Sequence, residues 1–167
     1  MVRPEDAVIV ALGGNLAGRF ASSEALLEAA LALFPQAGLP VLARSGWWRS
    51  AAWPDPSAPE YRNGIAIVEA DRGPQAVLES LLRLEGLLGR TRGVKNAPRT
   101  LDLDLVAYGR QVLETPELTL PHPRAHERLF VMGPLAEILP EWRHPLLGST
   151  ALDLAKSATV GTDAWPL

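Results

Sequence analysis

The clearest hydrophobic pattern of the chain is the alternation in RTLDLDLVAYG, residues 99–109, where leucine occupies every second position from Leu101 to Leu105. A period of two is typical of a strand that buries one face and exposes the other. Asp102 and Asp104 share the polar face, although aspartate is disfavoured in strands. Taken alone, such a pair favours an ordinary solvated strand face.

The same kinds of periodicity predict the remaining elements. A continuous apolar run over 7–12 indicates a buried strand, and the stretch 61–70 alternates again. Apolar residues three and four positions apart predict helices, each with a start or stop signal. Further predicted elements are a strand over 39–50, whose pattern Gly46 and the two tryptophans blur, and a short segment over 111–113. The predicted helices cover 23–34 (capped by Ser22 or Ser23), 74–88 (beginning at Pro74) and 126–138.

The order strand, helix, strand, strand, helix, strand is the split βαβ pattern of the ferredoxin-like fold. It predicts an α+β sandwich with a mostly antiparallel sheet, helices on one face and C-terminal additions. The opposite face of the sheet is expected to be available for a functional site.

Composition narrows the class of protein. The 167 residues predict one domain over 1–167, and the net charge of −3 gives no reason to expect a nucleic-acid ligand. The chain contains no cysteine, which excludes disulfides, thiolate metal sites and a cysteine nucleophile and is compatible with a cytoplasmic protein. The apolar run over 8–12 is too short to span a membrane.

Basic residues precede the aspartate pair. Arg90, Arg92 and Arg99 lie shortly before it, and guanidinium groups bind phosphate oxygens bidentately. Carboxylates about 6.5–7 Å apart on one strand face can converge on hard cations such as Mg²⁺. This combination is expected where a polyphosphate meets Mg²⁺, but ion pairs between the arginines and the aspartates or Glu85 explain the pattern equally well.

Two other motifs carry candidate chemistry. In LPHPRAHERLF, His122 and Arg128 are candidates for phosphate contacts, with an ordinary surface loop as the equal alternative. A proline between His122 and His126, and the lack of an HExxH motif, argue against a zinc site. Tyr61 and Asn63 begin a strand after a proline-rich loop, and together they offer the stacking surface and the amide that a flat heterocycle needs.

These stretches together resemble the 6-hydroxymethyl-7,8-dihydropterin pyrophosphokinase family of folate biosynthesis. The resemblance covers most of the chain. Its most specific part is the order of motifs: a proline, Arg-Thr and a Leu-Asp repeat, followed by LPHPR and then R-x-F. The resemblance also implies the ferredoxin-like fold. The stretches that carry it are ALGGNL, YRNGIAIV, LEGLLGRTRG, PRTLDLDLVAYG and LTLPHPRAHERLFVMGPLAEI.

The resemblance implies Mg²⁺-dependent transfer of pyrophosphate from ATP to the pterin's hydroxymethyl group, with release of AMP. Together with the composition, we expect a cytoplasmic monomer whose partners are these two small-molecule substrates, with no nucleic acid and no membrane. The family resemblance also implies that Asp102 and Asp104 hold two Mg²⁺ ions and act in catalysis with Arg90 and Arg92. The implied ATP site comprises Glu85, Arg90, Arg92, Arg99, Thr119, His122 and Arg128. The implied pterin site comprises Ser50, Trp53, Tyr61, Asn63 and Phe130, with the pterin stacked between Tyr61 and Phe130.

The chain also departs from the family pattern. Ala51-Ala52 stands where Pro-Pro is usual, which leaves the stiffness of that pterin-side loop open, and Leu82 replaces a glutamine that often lies on the adenine side. Two other classes remain alternatives: a regulatory or RNA-binding module on the same fold, and a Mg²⁺-dependent nuclease that uses the same aspartates. Metal-dependent affinity for ATP would separate the enzyme from the RNA-binding module.

Overall fold

The computed structural model describes residues 2–15, 17, 20–52, 57–88 and 101–167. Its helices are α1 (Ser23–Leu33), α2 (Pro74–Leu87), α3 (Leu129–Ile138) and α4 (Ala151–Ser157). Its strands are β1 (Val8–Gly14), β2 (Val41–Arg44), β3 (Trp48–Ser50), β4 (Tyr61–Val68), β5 (Asp102–Tyr108), β6 (Leu113–Glu114), β7 (Thr119–Leu120) and β8 (Trp165–Pro166).

The main sheet has the strand order β5-β1-β4-β3-β8, and β2 also pairs with β4. Each of these pairings is antiparallel. With β2 and β3 counted as the second strand of the split βαβ unit, this is the order of the ferredoxin-like fold. The fold predicted from the order of elements is therefore confirmed.

Both faces of the sheet are covered by helices, although to different extents. Val8, Val10 and Leu12 of β1 point into a core formed with α1 and α2. Ile9 points to the other face, into a second core with residues of α3 and α4. The expectation of a fully available second face was wrong, because the apolar residues that alternate with the first set also need burial. Only the part of this face beyond α3 and α4 remains for a site.

Two of the longer predicted elements differ most from the structure in their bounds. The strand over 39–50 is interrupted, because the Ser45 hydroxyl accepts a hydrogen bond from the Ile65 amide (2.9 Å) and donates one to the Gly46 carbonyl (2.7 Å). The helix predicted over 126–138 begins at Leu129, since Ala125–Glu127 form a separate 3₁₀ turn. Helix α4 and strand β8 were foreseen only as unspecified C-terminal additions.

His144 is a buried polar residue of the second core, where its ring lies edge-on to that of Trp142 with centroids 5.9 Å apart. Its Nδ1 accepts hydrogen bonds from the amides of Leu146 and Leu147, both at 3.2 Å. Burial, together with nearby His126, lowers the pKa of His144 from 6.5 to about 4. The native chain therefore holds this imidazole neutral where the unfolded chain protonates it.

We expect the free energy of unfolding to fall as pH decreases from 6.5 toward 4, because the unfolded state then binds more protons than the native state. The variant His144→Asn keeps an acceptor for the two amides but does not titrate, so its loss of stability should be shallower. Urea unfolding at pH 7 and pH 5 measures this. If the free energy of unfolding depended equally on pH in the two proteins, the neutral state assigned to His144 would be wrong. Some pH dependence is expected to remain in the variant because of His122, whose pKa is also lowered.

Candidate active site

One row of residues crosses the available part of the sheet from β5 to β3. Asp102 lies opposite Gly13, Gly13 opposite Asn63, and Asn63 opposite Trp48. Residues directly opposite in an antiparallel ladder share a face, and neighbouring strands lie about 4.8 Å apart. Asp102 and Asn63 therefore face the same side, roughly 10 Å apart, with only the glycine between them.

Gly13 leaves this space open. An added Cβ there would lie 3.1 Å from Oδ1 of Asn63, closer than ordinary van der Waals contact. A larger residue would therefore displace the Asn63 amide. Because Gly13 has no side chain, the space is continuous between the acidic end of the row, at Asp102, and its amide end, at Asn63.

The two aspartates lie on the partly exposed side of β5, whereas Leu103 and Leu105 are both 3% exposed. The alternation predicted from the sequence is thus confirmed. Glu85 of α2 is 2% exposed, and its Oε2 accepts a hydrogen bond of 2.7 Å from the Leu103 amide. This bond ties the end of α2 to the start of β5, between the two aspartates.

His122 and Arg128 approach the acidic end of the row from the loop that follows β7. The His122 amide donates to the Val106 carbonyl of β5 at 2.8 Å, and its Nδ1 accepts from the Arg124 amide at 3.2 Å. Burial lowers the pKa of His122 to about 4; Arg128 acts in the same direction and Asp102 opposes it. A neutral His122 whose Nδ1 accepts carries its proton on Nε2, where it can donate to an anionic ligand.

Thr119 begins β7, which packs beside β5. The structure therefore brings together four predicted site residues from two stretches of the chain: Asp102, Asp104, His122 and Arg128 lie on or next to the acidic end of the row.

The amide end of the row is built from β3 and β4. Nδ2 of Asn63 donates to the hydroxyl of Ser50 at 3.0 Å, and both residues are buried, with exposures of 6% and 5%. Tyr61 lies opposite Ser50 in the ladder, so all three residues face the same side. These three predicted pterin-site residues are neighbours in the structure.

Helix α3 carries Phe130 in its first turn, and the contacts of the following turns indicate that Phe130 lies toward this group. Gly133 and Glu137 lie further along the same face of α3. Gly133 packs against the Trp48 ring of β3. Glu137 accepts hydrogen bonds from the Gly46 amide at 2.8 Å and from Trp48 Nε1 at 3.1 Å. Positions three and seven apart share a helix face. That face continues from Gly133 toward Phe130 in the direction of Ser50.

Arg128 connects the two ends of the site, since its guanidinium carbon lies 5.7 Å from the Phe130 ring centroid. This distance is within the range of a cation–π contact. The site therefore has acids, a neutral imidazole and a guanidinium at one end, and an amide, a hydroxyl and two aromatic rings at the other.

Four predicted site residues lie outside the part of the chain that the structure describes: Trp53, Arg90, Arg92 and Arg99. Sequence reasoning, in turn, missed Gly13, Trp48 and Glu137 as supports of the site. The place of Gly13 opposite an aspartate could have been found by pairing the strands that contain them. Nothing in the local pattern around Glu137 indicates its partner, since Trp48 is 89 positions away.

The donor set fits Mg²⁺ bound together with a phosphate ligand. Within the described ranges, no group of three or more His, Asp or Glu residues lies close enough to hold a metal ion without further ligands. Two carboxylates on one face suit Mg²⁺, which usually takes one or two carboxylates and completes its octahedron with water and substrate phosphates. No helix among the described residues is long and apolar enough to cross a membrane.

Comparison with known proteins gives a consistent result. The family model of 7,8-dihydro-6-hydroxymethylpterin-pyrophosphokinase (HPPK) matches residues 9–140. The 2-amino-4-hydroxy-6-hydroxymethyldihydropteridine pyrophosphokinase of Synechocystis is 41% identical over 160 residues, covering 95% of this chain and 79% of the relative. The protein of the same name from Bacillus subtilis is 38% identical over 130 residues, covering 77% and 75%.

The fold is also found in solved structures. The Plasmodium falciparum HPPK-DHPS structure with pteroate matches with a TM-score of 0.69 at 12% identity, over 90% of this chain and 44% of that one. At this identity the likeness concerns the fold alone. This chain spans less than half the length of that protein.

Proposed function

The chain belongs to the 7,8-dihydro-6-hydroxymethylpterin-pyrophosphokinase family of folate biosynthesis, and we propose that it transfers the pyrophosphoryl group of ATP to 6-hydroxymethyl-7,8-dihydropterin in a Mg²⁺-dependent reaction that releases AMP. The observation that supports this most is the row across the sheet, with Asp102 and Asn63 on one face and Gly13 between them. It offers an acidic end for a metal-bound triphosphate and an amide end for a heterocycle. Family membership favours this enzyme over an RNA-binding module or a nuclease.

At the acidic end, Asp102 and Asp104 would hold two Mg²⁺ ions, which supply charge neutralisation for the triphosphate and activate the acceptor hydroxyl. His122 would donate Nε2–H to a phosphate oxygen, and Arg128 would bind another through its guanidinium group. Thr119 and Glu85 belong to the proposed ATP site as well, with Glu85 acting through its hold on the Leu103 amide.

Three arginines, identified from the sequence alone, complete the proposed ATP site. Arg90, Arg92 and Arg99 precede β5 in the chain and lie outside the described residues. We assign them to the triphosphate on the family resemblance, with Arg90 and Arg92 also stabilising charge in the transition state.

At the amide end, Asn63 and Ser50 would hydrogen-bond the polar edge of the pterin, while Tyr61 and Phe130 would stack on its faces. The hydrogen bond between Asn63 and Ser50 orients the amide before the substrate arrives. Trp53, which lies outside the described residues, completes the proposed pterin site. A preoriented amide binds the correct edge at little cost in lost side-chain freedom.

The reaction needs no covalent intermediate with the protein. The hydroxymethyl oxygen attacks the β-phosphorus, the bond between that phosphorus and the α–β bridging oxygen breaks, and AMP leaves with the electron pair. The contribution of the chain is to position the two substrates in line and to stabilise the charge that moves toward the bridge.

The identity of the nucleotide product tests this proposal. We expect AMP in equal amount to a pterin that has gained both the β- and the γ-phosphorus, and neither product without added 6-hydroxymethyl-7,8-dihydropterin. Chromatography of the nucleotides and the mass of the pterin product measure this. ADP together with a monophosphorylated pterin would contradict the mechanism, even if the pterin site were assigned correctly.

A further inference from the structure

The last ten residues of the chain run back from α4 across the start of α3 to the edge of the sheet. The amides of Thr159 and Val160 donate to the Glu127 carbonyl at 3.0 and 2.9 Å, and the Leu129 amide donates to the Val160 carbonyl at 2.9 Å. Strand β8 then pairs with β3. This segment, 158–167, therefore ties the beginning of α3 to the strand that carries Ser50.

Two contacts of the segment fall at the proposed pterin site. The backbone of Gly161 lies against the Phe130 ring so closely that a Cβ would overlap it, and its φ of +66° suits glycine. Two residues later, Oδ2 of Asp163 accepts a hydrogen bond of 2.7 Å from the Ala51 amide. The same short stretch therefore contacts both the stacking residue and the residue directly after Ser50.

The Ala51 amide is available because alanine stands at this position. A proline there would lack the N–H group and would restrict the backbone by its ring instead. In this chain the backbone at Ala51 is restricted by the hydrogen bond to Asp163, a residue outside the loop. A hydrogen bond to a carboxylate is stronger than one between neutral groups. Asp163 also lies beyond residues 9–140, the part that the family model matches.

We propose that Asp163 is a positioning residue for the pterin substrate, an inference that rests on the proposed function. Its carboxylate holds the Ala51 amide, and thereby fixes the peptide unit that joins Ser50 to Ala51. Ser50 in turn accepts the hydrogen bond of Asn63. The orientation of the Asn63 amide, which binds the pterin edge, therefore depends on the hydrogen bond between Asp163 and Ala51. Among the described residues, the hydrogen bond of Asp163 lies at the amide end of the site, and we expect ATP binding to be independent of it.

The test compares Asp163→Ala with Asp163→Asn. The alanine variant loses the acceptor, and we expect its Kd for 6-hydroxymethyl-7,8-dihydropterin to rise about three- to tenfold, the range expected for one hydrogen bond. The asparagine variant keeps a carbonyl acceptor and should recover most of the affinity. The Kd for ATP with Mg²⁺, and kcat at saturating pterin, should be unchanged in both.

Glu141→Ala is the matched control, since it also removes an exposed carboxylate from the C-terminal part of the chain. Titration calorimetry gives both affinities, and thermal unfolding shows whether the variants remain folded. Unchanged pterin affinity in Asp163→Ala, or an equal loss of ATP and pterin affinity, would overturn the assignment while leaving the proposed function intact. Failure of the unmodified chain to bind the pterin would instead refute the proposed function, and this assignment with it.

Discussion

Replacement of Asp102 or Asp104 by alanine is expected to lower kcat by about a thousandfold or more while the fold survives. Metal-ion catalysis supplies several kcal/mol of charge stabilisation, and each 1.36 kcal/mol corresponds to a factor of ten in rate. Both side chains are on the partly exposed face of β5, whereas the apolar residues that alternate with them are buried and carry the packing. The loss should therefore appear in turnover far more than in stability.

Steady-state AMP formation at saturating ATP, pterin and Mg²⁺ measures the effect, and urea unfolding shows whether the variants remain native. Asp71→Ala is a suitable control, because its side chain is 89% exposed and lies away from the row. Wild-type turnover in either site variant at saturating Mg²⁺ would refute the metal assignment. A large loss of unfolding free energy would indicate a structural role instead.

Asn63→Leu is expected to weaken pterin binding by roughly 1–3 kcal/mol, the cost of leaving a buried polar group unpaired. This corresponds to about a five- to 150-fold rise in Kd. The substitution keeps nearly the same volume, but it leaves the pterin edge and the Ser50 hydroxyl without the amide. Because Asn63 is two strands away from Asp102, affinity for ATP with Mg²⁺ should barely change.

Separate calorimetric titrations with the pterin and with an ATP analogue distinguish these effects. Ser50→Ala is the companion variant, since it removes the partner of Asn63 but leaves the amide itself. It should weaken pterin binding less than Asn63→Leu does. If Asn63→Leu reduced both affinities in parallel, the residue would be structural and its place in the pterin site would be wrong.

Local sequence patterns predicted much of the fold. The bounds of α1 and α2 follow the predicted helices closely, because Ser22 caps the first and Pro74 begins the second. The strand interruption at Ser45 was missed, since it depends on a hydrogen bond to Ile65, 20 positions away. The coverage of the second sheet face was missed for a similar reason: α3 shows apolar residues whichever face of the sheet it packs on.

The candidate site was predicted in parts rather than as a whole. The aspartate pair, His122 with Arg128, and Tyr61 with Asn63 were each identified from their own stretch, and the family resemblance joined them. The structure brings Asp102, His122 and Arg128 together and places Asn63 beside Ser50. The roles of these residues toward ATP, Mg²⁺ and pterin remain predictions that the proposed variants test.

The sequence by itself determined most of the elements up to α3, the ferredoxin-like order and the residue types available to the site, because hydrophobic periods and caps act over two to four positions. Only the tertiary structure decided which of these residues meet. Gly13 faces Asn63, Gly161 faces Phe130, and Asp163 binds the Ala51 amide across 112 positions of sequence. Such contacts depend on which distant strands pair and on how the C-terminal segment packs, whereas the period within one strand or helix specifies only the face on which each residue lies.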